Sequence, residues 1–355
     1  MISTKKILPI TILCWGLVVT PGIAKEDEPH VKSLRAIDSS HWINKLTVGG
    51  LLEVEANSSE SYTGVDSSDL TLATAALAFN AKINDRIEAH LSFLYEEDET
   101  PLEVDEGTIV VSLAGGSSLV MGQMYVPFGP FETNMVSDPL TLEIGETRET
   151  AIQYSFTTGG FSGTAFVYNG TKTRKTAEEK IDQFGIGIGY ATEGEGLTYN
   201  VGITYLNNLG DSDGVTAKIA ATTLNDYVGA YIAHGSVKAG AFSFIAEYLT
   251  ATDKFASSEL AFNGRGAEPS AMNIEFAYDS TIAGKPATWA IGYQTTDEAL
   301  ALGLPETKML LAVSVEVMQD TALSFEVANS EDYGTSVGGT GKNANSLTVQ
   351  FAVGF

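Results

Sequence analysis

The chain has 355 residues and carries 20 Lys and Arg against 45 Asp and Glu, a formal net charge of −25. A field so negative repels phosphate backbones and excludes a nucleic-acid partner. Disorder, the other common state of strongly charged chains, is excluded by a hydrophobic content of 44% spread through patterned segments.

Residues 1–24 read as a secretory signal peptide. Lys5 and Lys6 form a positive start, and Ile7 to Val19 is an apolar run too short to span a bilayer. Gly22, Ile23 and Ala24 supply the small residues before a cut near Ala24. The single cysteine, Cys14, lies inside that run, so the mature chain is expected to lack disulfides. Residues 25–44 are short and polar and read as a periplasmic lead-in.

From Lys45 onward the hydrophobic period is two. In the last segment Leu347, Val349, Phe351, Val353 and Phe355 share one face, and Thr348, Gln350, Ala352 and Gly354 the other. Such segments start near residues 45, 68, 86, 105, 118, 150, 160, 183, 197, 226, 238, 271, 285, 306, 320 and 345. The connections alternate between short and long, with short ones expected at 82–85, 235–237 and 318–319, and long ones at 97–103, 207–225 and 251–270. A β-sandwich gives no reason for that alternation, whereas an up-and-down membrane barrel does. The expected fold is all-β: a transmembrane antiparallel barrel of about 16 strands over residues 45–355.

A lipid-facing charge costs roughly 2–4 kcal/mol at the midplane, so charged residues should face the lumen. Glu53 and Glu55 alternate with Leu52 and Val54, and Arg86, Glu88 and His90 with Ile87, Ala89 and Leu91. Glu247, Glu275, Lys308, Glu316 and Glu326 fall on the same side of later segments. The lumen read this way is hydrated and acidic. Glu96, Glu97, Asp98 and Glu99 form an acidic run that reads as a solvated loop tip.

The longest connection, 127–149, is the candidate constriction. Pro127, Phe128, Gly129 and Pro130 break the preceding strand, because proline withholds ladder donors and glycine allows a sharp turn. Glu132, Asp138, Glu143, Glu146 and Glu149 follow, with Arg148 as the scarce cation among them. As an infolded third extracellular loop, this segment would shape the pore. Arg148 would then either pair with a carboxylate solute or tie the loop to the wall.

Phe355 closing an alternating strand resembles the C-terminal signature of outer-membrane barrels, which implies recognition by the barrel-assembly machinery. Three stretches carry a narrower resemblance: Gly49 to Ala56, Leu94 to Gly107, and Gly122 to Gly129 continuing through Glu132-Thr133-Asn134 to Glu146-Thr147-Arg148-Glu149. Together they resemble the LbtU-type siderophore porin family. The motifs lie within residues 45–155; the remainder matches only in strand pattern and terminal Phe. The resemblance implies passive, plug-independent uptake of a ferric siderophore of the carboxylate type, legiobactin in that family. The coiled-coil segment associated with the N-terminus of many members is lacking.

The expected function is therefore an outer-membrane porin for a small solute, with a ferric siderophore as the leading ligand. An acidic lumen disfavours an anionic complex, so a general or cation-preferring porin stands beside it, and a non-conducting receptor or adhesin is a third reading. Catalysis is not expected. Beyond the leader the only histidines are His30, His41, His90 and His234, and His234 is placed beside a periplasmic turn, away from any nucleophile. No metal-ligand spacing or cofactor motif is present, so neither is expected. The surrounding partner is outer-membrane lipid, and a homotrimer follows by analogy with 16-stranded porins.

Overall fold

The computed structural model describes residues 45–355 apart from 176–179 and 195. The signal peptide, the lead-in, Cys14, His30 and His41 lie outside the described residues.

Sixteen strands close into one antiparallel barrel. They are β1 (Lys45–Glu60), β2 (Asp66–Lys82), β3 (Ile87–Glu96), β4 (Thr100–Ser112), β5 (Ser117–Tyr125), β6 (Arg148–Thr158), β7 (Phe161–Tyr168) and β8 (Gln183–Gly194). The second half comprises β9 (Leu197–Leu206), β10 (Ala230–Ala239), β11 (Phe242–Ala251), β12 (Ser270–Ile282), β13 (Lys285–Asp297), β14 (Thr307–Met318), β15 (Thr321–Glu331) and β16 (Asn343–Gly354). Each strand pairs with its sequence neighbour, and β16 pairs with β1 from Leu51↔Gly354 to Glu60↔Asn345. The seam continues past the strand, where Gly50 and Phe355 exchange two backbone hydrogen bonds of 2.9 and 3.0 Å. The barrel itself has no free edge, as a bilayer requires.

The alternation decides which face meets lipid. Ile186 and Ile188 on β8, and Ile291 on β13, are exposed on the outer surface, Ile188 by 66%. The intervening positions point inward, and there the glycines matter. At Gly185 a Cβ would meet the Phe166 ring at 2.1 Å, so the glycine run of β8 is space for an inward aromatic.

Several boundaries differ from the sequence reading. The turn between β10 and β11 falls at Gly240 and Ala241, not at 235–237. His234 therefore lies within β10, opposite Glu247, rather than beside a turn. The acidic run Glu96–Glu99 is a tight hairpin in which Asp98 takes φ +66°, because β4 starts at Thr100. Arg86 precedes β3 and is exposed in the turn, so it does not line the wall. The long connection spans 126–147; Arg148 and Glu149 are the first residues of β6. Turn residues tolerate strand pairing, so alternation alone leaves such limits loose by several positions.

β4 carries a bulge, where Asp105 and Glu106 oppose the single Ser92 of β3. Beside it, Gly122 of β5 takes φ +136°, and a Cβ there would lie 2.0 Å from the Gly107 carbonyl oxygen. Both the dihedral and the close approach demand glycine. Gly122→Val is expected to destabilise the barrel by about 3 kcal/mol or more. Urea unfolding in lipid vesicles checks this; an unchanged midpoint would show that β5 adapts.

Candidate functional site

The connection 126–147 turns into the barrel and runs along the inner wall of β11–β15. Its first step extends the β5–β6 ladder, Val126 N donating to Thr147 O at 2.9 Å. Pro127 and Pro130 then end the pairing. Inward carboxylates receive the freed donors in order. Glu247 on β11 accepts from Phe131 N (2.9 Å) and Thr141 Oγ1 (2.7 Å). Glu275 on β12 accepts from Thr133 Oγ1 (2.6 Å), Asn134 N (2.7 Å) and Asn134 Nδ2 (3.2 Å). Glu326 on β15 accepts from Val136 N (2.7 Å), Ser137 N (3.2 Å) and Ser137 Oγ (2.7 Å). Lys308 on β14 donates to Ser137 Oγ at 3.0 Å, and Leu140 N reaches Gln294 of β13 at 3.3 Å.

These three carboxylates read from the sequence as part of a hydrated lumen. The structure uses them as loop anchors, and Glu275 is fully buried. A carboxylate accepting backbone N–H groups replaces its lost hydration with charge-assisted bonds, each worth roughly 1.5–3 kcal/mol.

Packing completes the hold. A short helix, α1 (Leu140–Gly145), follows Pro139, which needs no N–H at that position. Phe128 and Ile144 are fully buried in one apolar cluster with Leu209, Val215, Ile232 and Leu249. Gly129 and Gly145 permit this contact, since a Cβ at either would come within 2.6 Å of Ile232 or 2.5 Å of Leu249. A second short helix, α2 (Asp213–Thr216), in the β9–β10 connection sits on α1, with Asp213 N donating to Glu146 O at 2.8 Å. Phe255, Leu260 and Phe262 of the β11–β12 connection join the same cluster. This side of the lumen is thus an apolar core, not water.

The sequence-predicted site residues separate into groups. Pro127, Phe128, Gly129 and Pro130 shape the loop entry. Where Arg148 was expected to face Glu143, Glu146 and Glu149 at a constriction, its ion pairs are with the wall. It reaches from β6 over β5 to β4, where it pairs with Glu103 and, at 3.1 Å, with Asp105. Tyr125 donates to the same Asp105 at 2.8 Å and lies 6.0 Å below the guanidinium. Arg148 is therefore a tie within the wall. Glu132 bonds Ser236 of β10. Glu53 is buried on β1, and Glu55 accepts from Gln350 of β16 at 2.8 Å. His90 bonds Asn80 at 2.8 Å and lies 3.6 Å from Glu106. Glu88 is exposed opposite Lys82 near the short-turn end.

Asp138 and Glu143 remain as the loop's charges toward the wall of β1 and β3. Burial pushes Asp138 up to about 7; Glu143, Glu96 and Glu53 add to this, and Lys308 opposes it. Its Oδ1 is buried without a hydrogen-bond partner. Burial also raises Glu143, against Lys308 and Lys218. Sequence reasoning placed Lys308 inside but missed that it and Lys218, rather than Arg148, are the cations acting on Glu143. The available signal was a Lys on an inward face whose next two positions, Leu310 and Ala312, are apolar.

The architecture is that of porins. Over 88% of this chain and 99% of the other, it matches the anion-selective porin from Comamonas acidovorans with a TM-score of 0.62 at 13% identity. The outer membrane channel DcaP of Acinetobacter baumannii matches with a TM-score of 0.62 at 13% identity, over 90% of this chain and 100% of that one. The trimer form of OmpT from Vibrio cholerae gives 0.55 at 12% identity, over 88% and 99%. In sequence, the chain is 27% identical over 339 residues to a UPF0422 protein of Coxiella burnetii, covering 88% of this chain and 72% of that protein. It is 25% identical over 328 residues to UPF0422 protein lpl2888 of Legionella pneumophila, covering 81% of this chain but only 62% of that relative. No known protein-family profile matches the chain.

Two outcomes are expected. Glu326→Leu strips Val136 and Ser137 of an acceptor, so single-channel recordings should show larger and noisier conductance; an unaltered trace would mean that the apolar packing alone holds the loop. Protonation of Asp138 as pH falls through about 7 removes a negative charge beside the loop. Cation preference should therefore be greatest above pH 7 and decline below it, and Asp138→Asn should abolish that step in reversal-potential measurements.

Proposed function

We propose that the protein is an outer-membrane diffusion channel for small solutes, with a preference for cations. The observation that carries this reading is the loop 126–147, held inside a closed, lipid-faced barrel and presenting Asp138 and Glu143 toward the acidic wall of β1 and β3. In a narrow, low-dielectric passage, fixed negative charges attract cations and repel anions. Lys308 offsets part of that field, and Arg148 is neutralised by Glu103 and Asp105. The long-loop end faces outward and the strand termini face the periplasm. The trimer form of the Vibrio cholerae structure supports a homotrimer as the working assembly.

A second reading, a porin for a ferric carboxylate siderophore, is favoured by the resemblance of residues 45–155 to the LbtU-type family. It requires the ligand to meet a cation, and we offer Lys308, which lies beside the loop at Ser137, as the candidate.

Planar-bilayer recording separates the readings. A tenfold KCl gradient should give a reversal potential of cation-preferring sign; the opposite sign would overturn the leading proposal. Current blocked by a ferric carboxylate complex, but not by its iron-free ligand, would establish the siderophore reading. A folded barrel that carries no current would instead point to a receptor.

A further inference from the structure

The acidic run Glu96–Glu99 takes no part in anchoring the infolded loop, and the strand register shows where it stands. The tip of the β3–β4 hairpin pairs with β2: Glu97 N donates to Leu72 O at 3.1 Å, and Leu72 N donates to Glu97 Oε2 at 2.8 Å. Leu72 is the partner of Val54, which lies between Glu53 and Glu55 of β1. The tip is therefore level with those two carboxylates, while the β1–β2 hairpin climbs on past it to Glu60 and Asp66. A run that reads in sequence as a solvated loop tip is set down beside the acidic inner wall.

Alternation turns Glu96 inward. His90 and Ser92 of β3 are buried on the lumen side, and Glu96 continues their side of the strand. Glu53 pairs with Thr74, and Ala75 pairs with Tyr95, so Glu53, Thr74 and Glu96 form one row across three strands. Thr74 bonds Glu53, and Thr100 Oγ1 donates to Glu96 Oε2 at 2.6 Å. Glu96 acts on Asp138 of the infolded loop, and Glu99 acts on Glu143 of that loop and on Glu55 of β1. Asp138 differs from the acids that anchor the loop. Glu247, Glu275 and Glu326 each accept two or three hydrogen bonds from it, whereas Asp138 Oδ1 is buried and has no partner.

We propose that Glu96 and Glu99 are selectivity residues of the channel, forming with Glu53 and Glu55 the wall that faces Asp138 and Glu143. Two connections, the infolded loop and the β3–β4 hairpin, then shape the cation passage from opposite sides. Fixed charges of one sign on both sides of a low-dielectric passage add their fields, which concentrates cations there and keeps anions out. The proposal rests on the cation-preferring channel reading and names the residues that set the preference.

Reversal potentials of the purified barrel in a planar bilayer under a KCl gradient test it. Glutamine keeps the acceptor for Thr100, so Glu96→Gln with Glu99→Gln removes charge and preserves the hairpin. The pair should lower the potassium-to-chloride permeability ratio at least about threefold. Asp98→Asn at the exposed tip, where Asp98 takes φ +66° and asparagine is tolerated, should leave the ratio nearly unchanged. A second readout follows the link to Asp138. Without the Glu96 charge, Asp138 gives up its proton more readily, so the step in cation preference should move to lower pH. An unchanged ratio in the glutamine pair, an equal fall in Asp98→Asn, or a step that stays in place would overturn the proposal. Anion preference in the unaltered barrel would overturn the channel reading itself, and the proposal with it.

Discussion

Everything in this structure depends on closing a sheet in a medium that offers no hydrogen bonds. Every strand must find two partners, so β16 meets β1, and a charge within the apolar band of a strand must turn inward. The inward face therefore collects carboxylates faster than it collects cations. A buried carboxylate needs donors, and a chain segment rich in unpaired N–H groups is the ready supply. The loop after β5, cut out of the ladder by Pro127 and Pro130, is such a segment. Glu247, Glu275 and Glu326 and the loop satisfy one another.

This exchange divides the interior. Along β11 to β15 the acids are consumed as anchors, and the space around them is filled by Phe128, Ile144 and residues from four further connections. Along β1 and β3 the acids have no such loop to hold, and their field falls on Asp138 and Glu143. A lumen that looks uniformly acidic in sequence is thus apolar and packed on one side and acidic on the other. The selectivity we propose rests on the second side, and the hold on the loop rests on the first.

Much of the fold was legible in the amino-acid order, because a period of two admits one lipid-facing register and alternating connection lengths admit one topology. The inward placement of Glu53, Glu247, Glu275 and Glu326 followed from the same rule. Turn positions were less legible: His234 and Gly235 looked like a strand end, yet the hairpin turns five residues later, since glycines serve both turns and crowded inner walls. The roles of the charges were not legible at all. Whether Glu275 lines water or holds Asn134 depends on a contact across 141 residues, and whether Arg148 meets a solute or Asp105 depends on a bulge two strands away. Sequence alone determined which side of each strand each side chain faces, because alternation is a local property of the backbone. Only the tertiary structure decided which partner waits there, because hydrogen bonds to a loop are made between residues that the sequence holds far apart.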